Sequence, residues 1–160
     1  LKEIASVGDM FLGKIGGSMG EISALMLLIG GLYLIWRKVI SWQTPAAYIA
    51  TVAVLTFLFP KGGADNLQFM LYSIFGGGLM LGAFFMATDY VTSPTTTKGK
   101  IVFGLGLGVI TCAIRFLGTM NEGVSFAILL MNLLVPYIEI LTRQDRLGIA
   151  KTKKKEGAAK

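Results

Sequence analysis

Long segments almost free of charge constrain this chain more than any other feature. A hydrocarbon core of about 30 Å requires about 20 predominantly apolar residues of helix, with about 17–25 as the working range. Five segments approach that length: Glu21 to Ile40, Pro45 to Pro60, Leu67 to Thr88, Ile101 to Leu117 and Val124 to Thr142. Only 15% of the 160 residues are charged and 54% are hydrophobic, against about 25% charged in an ordinary soluble domain. Nine of the 21 glycines lie within these apolar segments and none forms a Gly-X-Y repeat, which excludes a collagen repeat and a disordered polar tract. The pattern predicts an all-α polytopic membrane protein with five transmembrane helices, one of them broken.

Residues 1–20 are too polar and glycine-rich to cross, and are expected to form an external linker or a re-entrant segment. Residues 21–142 form the expected five-helix membrane domain, and residues 143–160 a basic tail. Leu1 is not an initiator residue, and no basic start precedes a charge-free apolar core, so the chain reads as a piece of a longer polypeptide without a secretory signal.

Seven of the 15 basic residues fall in the last 18 positions, so the net charge of +6 is a tail and not a surface. Nucleic-acid binding is excluded, because no basic stripe interleaved with aromatics precedes Arg143. With Cys112 as the only cysteine and no histidine, the chain has no internal disulfide, no cysteine/histidine zinc cluster and no histidine-based catalytic dyad. No catalytic or metal-ligating constellation is assigned, although oxygen-ligand metals stay open. Placing the tail on the cytoplasmic side puts eleven basic residues there, including Arg37, Lys38, Lys98 and Lys100, and leaves Lys2, Lys14 and Lys61 outside. The tail then anchors the chain to anionic lipid of the bilayer.

Within the spans, Trp36 followed by Arg37 and Lys38 reads as an interfacial anchor. Pro45 suits a helix first turn, with Thr44 as the expected N-cap. Gly76, Gly77 and Gly78 predict a break in the third span, either facing a polar cavity or admitting a neighbouring helix. Gly104 and Gly108 form a GxxxG, read as close helix packing. Asn132 reads as a helix–helix contact, and Pro136 one turn later invites a kink.

Charge within or beside a membrane span is functional by default, which singles out Glu21, Asp89, Arg115 and Glu139. Glu21 follows GGSMG, where backbone N–H groups leading into a helix suit a phosphate or polar ligand edge, although dipole capping explains it equally. Asp89 heads TDYVTSPTTTKGK, whose hydroxyls suit a hard cation at a pathway mouth or simply a solvated turn. Arg115 suits a bound phosphate, or a salt bridge to Glu122.

Three blocks, GSMGEISALMLLIGGLYLIWRKVISWQTP, FMATDYVTSPTTTKGKIVFG and IRFLGTMNEGVSFAILLMNLLVPYIEILTRQDRLG, occur in that order and cover nearly the whole chain. Together they resemble the C-terminal half of the RnfD/NqrB family, membrane components of Rnf ion-translocating electron-transport complexes and of the related sodium-pumping NADH:quinone reductase. The resemblance implies two inverted five-helix repeats similar to the urea-transporter fold, of which this chain would be the second. It implies partner membrane subunits in a prokaryotic cell (inner) membrane that pass electrons between ferredoxin and NAD while sodium ions or protons cross. It also implies FMN joined through its phosphate to a threonine on the outer side, with riboflavin as a possible non-covalent second flavin.

The family's attachment threonine lies in a Ser-Gly-Ala-Thr-like stretch that is absent here, so FMN attachment is expected upstream of Leu1. Thr95, Thr96 and Thr97 fall on the opposite side in this topology. Carried onto matching positions, the resemblance makes Gly17, Ser18, Gly20 and Glu21 candidates for lining the external flavin pocket, and Arg115 a candidate for recognising phosphate or carboxylate. Asp89, Thr92, Ser93 and Thr95 become candidates for the ion-path mouth, joined by Gly76 and Gly77 at the break. The leading expectation is a flavin-carrying component of an ion-translocating oxidoreductase. The alternatives are a passive channel or transporter for a small polar solute, which would need no flavin, and a scaffold component, in which loss of charge affects assembly alone.

Overall fold

A computed structural model describes residues 7–13, 23–60, 65–117 and 123–142, and all regular structure among them is helical. The order is α1 (Val7–Leu12), α2 (Ala24–Trp36), α3 (Gln43–Leu58), α4 (Asn66–Phe75), α5 (Leu79–Leu81), a π-helical turn (Gly82–Met86), α6 (Thr97–Leu117) and α7 (Gly123–Thr142). Two helices, α6 and α7, are long and apolar enough to cross a membrane, and the bent pair Asn66–Phe75 and Leu79–Met86 makes a third candidate. Helices α2 and α3 are apolar but shorter, at 13 and 16 residues, or about 20 and 24 Å.

The outer surface has the inverse pattern of a soluble bundle. On α7, Leu129, Leu133, Tyr137, Ile140 and Leu141 are all exposed, the arrangement expected where lipid or another apolar partner replaces water. Inside, Tyr48, Val52, Leu79, Phe103 and Leu107 are completely shielded. Helix α6 is central, packing on α3 along one face and on α7 along another.

The GxxxG sits on the α3 face. A Cβ at Gly104 would lie 2.9 Å from the Thr44 carbonyl oxygen, and one at Gly108 would lie 2.4 Å from Thr51 Cβ. The two glycines therefore bring the α3 and α6 backbones together, as the spacing predicts. Gly106, between them in sequence, faces Met131 of α7 instead.

Helix boundaries depart from the predicted spans most clearly at α2, α3 and α6, the last of which starts at Thr97, four residues ahead of Ile101. Helix α2 stops at Trp36, where Lys38 takes a left-handed conformation with φ 57°. Lys38 N–H donates to the Ile35 carbonyl and Val39 N–H to the Leu34 carbonyl, both at 2.9 Å. This is a Schellman stop, so the first helix ends four residues before Ile40. Helix α3 starts with Trp42 at its cap position, which makes no side-chain cap bond. Thr44 is therefore buried within the first turn and is not the N-cap. Pro45 follows in that same turn, where a missing N–H costs nothing.

The helix predicted as the third span is broken where the glycines predict. Gly77 and Gly78 have φ of 64° and 67°, a region that glycine enters without a Cβ penalty, and the two halves meet at 60°. Beyond α5 the helix widens, with Ala87 N–H reaching back to the Gly82 carbonyl at 2.7 Å. Helix α7, in contrast, continues through Pro136.

Candidate functional site

The break between α4 and α5 exposes main-chain acceptors. In an unbroken helix the Ser73 carbonyl would accept from the N–H of Gly77, but the chain turns left-handed there and the acceptor is left for another donor. Arg115, in the last turn of α6, supplies it. Arg115 Nη1 donates to the Ser73 carbonyl at 2.7 Å, while Nη2 donates to the Gly77 carbonyl at 3.0 Å and the Gly76 carbonyl at 3.3 Å. A cation at the C-terminal end of α4 is also favoured by that helix's dipole, and at the end of α6 by its own. Carbonyls freed at a half-helix end are the groups that coordinate a permeant cation in broken-helix transporters. Here a guanidinium fixed to the protein engages them.

One turn before Arg115 on α6, the Thr111 hydroxyl pairs with the Tyr48 hydroxyl of α3 at 2.6 Å, both side chains being fully buried. Two hydroxyls in an apolar seam satisfy each other and fix the α3–α6 register, because either left alone would be costly to bury.

A second polar group lies beyond the π turn, at the end of the bundle where α6 starts and α7 finishes. The exposed Asp89 accepts from the Thr92 hydroxyl at 3.2 Å. Glu139 of α7 accepts from both the backbone N–H and the hydroxyl of Thr95, at 3.1 and 3.0 Å. Thr96 caps α6, its hydroxyl oxygen accepting from the N–H of Gly99 at 3.0 Å and pairing with the Thr142 hydroxyl at 2.9 Å. Tyr90 hydroxyl donates to the Val39 carbonyl, and Lys100 Nζ to the Ser41 hydroxyl at 2.5 Å. The loop is therefore tied to the α2–α3 connection on one side and to α7 on the other. Replacing Glu139 by Ala removes both acceptor contacts to Thr95. Hydrogen exchange at the Thr95 amide is expected to accelerate about tenfold or more, given that bonds to charged groups contribute about 1.5–3 kcal/mol, while Glu139→Gln keeps most of the protection.

The ion-path candidates thus fall into two separate groups. Gly76 and Gly77 present their carbonyls to Arg115, whereas Asp89, Thr92, Ser93 and Thr95 belong to the loop. The flavin-pocket candidates Gly17, Ser18, Gly20 and Glu21 lie outside the described residues, as do Glu122 and the tail. Arg115 N–H groups that would serve a phosphate are directed at main-chain carbonyls. Sequence reasoning misses the partners of Glu139, the Tyr48–Thr111 pair and Lys100. The only available signals are a carboxylate near the end of an apolar helix and hydroxyls set among glycines.

The model of the NQR2, RnfD, RnfE family matches residues 1–148. Acetobacterium woodii has a relative named as the D component of its Na(+)-translocating ferredoxin:NAD(+) oxidoreductase complex. The chain is 49% identical to it over 152 residues, covering 94% of this chain and 46% of that protein. It is 48% identical over 141 residues to the D component of the Proton-translocating ferredoxin:NAD(+) oxidoreductase complex of Clostridium ljungdahlii, covering 87% and 42%. Identity to the D component of the Ion-translocating oxidoreductase complex of Pseudomonas paraeruginosa is 42% over 147 residues, covering 91% and 43%. The chain therefore spans somewhat less than half the length of these curated relatives.

Proposed function

The chain belongs to the NQR2, RnfD, RnfE family, and from that premise we propose that it is the second half of the RnfD-type membrane component of an ion-translocating ferredoxin:NAD oxidoreductase. In this reading its five apolar helical segments each cross the membrane, with α4, α5 and the π turn together forming one broken span. They constitute one inverted repeat of a urea-transporter-like fold in the cell membrane, with the tail and the 87–96 loop cytoplasmic. The observation that carries the reading is identity of 48–49% to two relatives named as the D component of ferredoxin:NAD(+) oxidoreductase complexes, and of 40–43% to relatives named as the D component of ion-translocating oxidoreductase complexes, over at least 86% of this chain.

The described residues supply positioning and electrostatics. Arg115 holds the broken span at its bend and keeps a positive charge beside the Gly76 and Gly77 carbonyls. A sodium ion that used these carbonyls would meet the fixed guanidinium charge beside them, which disfavours a cation at the junction while Arg115 stays in place. Asp89, Thr92, Ser93 and Thr95 are the proposed cytoplasmic mouth.

FMN in this reading is esterified to a threonine ahead of Leu1, riboflavin is a second, non-covalent flavin, and the pocket is formed with Gly17, Ser18, Gly20 and Glu21. A bound flavin would supply one- and two-electron transfer. Among the described residues, Arg115 is the cation assigned to its phosphate, but the bonds it directs to carbonyls do not fit that task without rearrangement. Denaturing-gel fluorescence and peptide-mass analysis of the parent complex test the proposal. Flavin mass on a threonine peptide preceding Leu1 is expected, whereas an assembled complex with neither covalent nor releasable flavin would favour a passive solute transporter.

A further inference from the structure

At the end of the bundle opposite the α4–α5 break, the α2–α3 connection, the loop after the π turn and the start of α6 enclose a cleft of about 40 Å³. Its polar lining consists of Ser41, Thr44, Thr88, Tyr90, Ser93 and Lys100. A water needs about 10–15 Å³, so the cleft admits about three water-sized atoms, room for the two non-bridging oxygens and one ester oxygen of a phosphodiester. Among the described residues, Lys100 is the only charged side chain in the lining. The carboxylates of this end bond elsewhere, Asp89 to Thr92 and Glu139 to Thr95.

The available hydrogens favour an anion. Thr88 spends its hydroxyl hydrogen on the Phe84 carbonyl, and Tyr90 spends its own on Val39. Lys100 gives one of its three N–H donors to Ser41, leaving two, and Ser41, which accepts that bond, keeps its own hydrogen. Those donors and the Thr44 and Ser93 hydroxyls form the donor set available to a ligand. The surroundings are those of a membrane interface: Trp36, Trp42 and Tyr90 are 77%, 61% and 74% exposed, as in an aromatic belt. Exposed Leu32 and Tyr33 on α2 and Ile101 and Leu105 on α6 continue away from this end along the apolar surface.

We propose that this cleft is a site for one phosphoryl group, held by Lys100 with Ser41 and Ser93, and that an anionic phospholipid headgroup supplies it in the membrane. Basic pockets between membrane helices take such headgroups, and inorganic phosphate offers the same chemistry from solution. The proposal rests on membrane placement and on neither the flavin nor the coupling ion, so it can fail independently of them.

Native mass spectrometry of the detergent-solubilised parent complex, titrated with phosphatidylglycerol or phosphatidylcholine, tests the site. Wild-type complex should retain one phosphatidylglycerol in preference to phosphatidylcholine. Lys100→Gln should weaken that retention roughly tenfold, as expected for loss of a charge-assisted bond, while Lys100→Arg and the exposed-residue control Lys98→Gln should retain the lipid. Excess inorganic phosphate should leave it bound. Equal retention by wild type and Lys100→Gln would overturn the site, as would equal retention of the two lipids by wild type, a comparison that needs no variant to assemble. Release by inorganic phosphate would overturn the lipid as the source.

Discussion

Replacing Arg115 by Met is expected to destabilise the protein by about 3–4 kcal/mol, less than the sum of three bonds to a charged donor at about 1.5–3 kcal/mol each. The Ser73, Gly76 and Gly77 carbonyls lose donors from one side chain at once. A half-helix end in an apolar setting has no water to replace them. Methionine fills similar space, so the loss reports hydrogen bonding and charge more than packing. Arg115→Lys should fall between wild type and Arg115→Met, because one ammonium lacks the two-nitrogen fork that reaches Ser73 and Gly77 together. Thermal dissociation of the assembled complex would show the order Arg, Lys, Met. A Met variant as stable as wild type would mean that the break is held by glycine geometry alone.

The glycines of α6 should respond to substitution according to what each faces. A Cβ at Gly104 meets Ala47 Cβ at 2.8 Å, the Thr44 carbonyl oxygen at 2.9 Å and the Tyr48 nitrogen at 3.1 Å. Two of those atoms are backbone and cannot turn aside, so α3 itself must move. Moving it also strains the buried Tyr48–Thr111 pair. Gly104→Val is therefore expected to cost about 3 kcal/mol, the upper end of overpacking penalties, and to lower the yield of assembled complex sharply. At Gly106 the added Cβ meets Met131 Cε at 2.5 Å and Sδ at 2.8 Å, the flexible end of a side chain that can repack. Gly106→Ala should cost less than about 1 kcal/mol. Equal yields from the two variants would contradict the close approach of the α3 and α6 backbones at Gly104.

Much of this architecture is legible from residue order, and the exceptions have identifiable physical causes. Three consecutive glycines announce the break, since an apolar helix has few other reasons to hold them, and the Gly104/Gly108 spacing announces a close neighbour. Neither says which element answers. Arg115 and Ser73 are 42 positions apart, and their bond exists only because the chain breaks at the end of α4, beside the last turn of α6. The stop of α2 is hidden for a different reason: Lys38 is a non-glycine residue in a left-handed conformation, a cap that composition does not advertise. Glu139 is conspicuous as a carboxylate in an apolar helix, but its partner Thr95 comes from a loop 44 residues away. Residue chemistry alone groups the ion-path candidates together, and the fold separates the carbonyls at Gly76 and Gly77 from the hydroxyl loop.

The central claim, that this chain is half of a membrane component of an ion-translocating electron-transfer complex, is most directly tested in inverted membrane vesicles. The vesicles would contain the parent complex, with the gene that encodes this chain intact, deleted or restored. Reduced ferredoxin and NAD should together drive uptake of sodium ions or protons, and uptake should vanish on deletion and return on restoration. Ferredoxin-dependent NAD reduction with undiminished ion uptake in the deleted strain would contradict the claim.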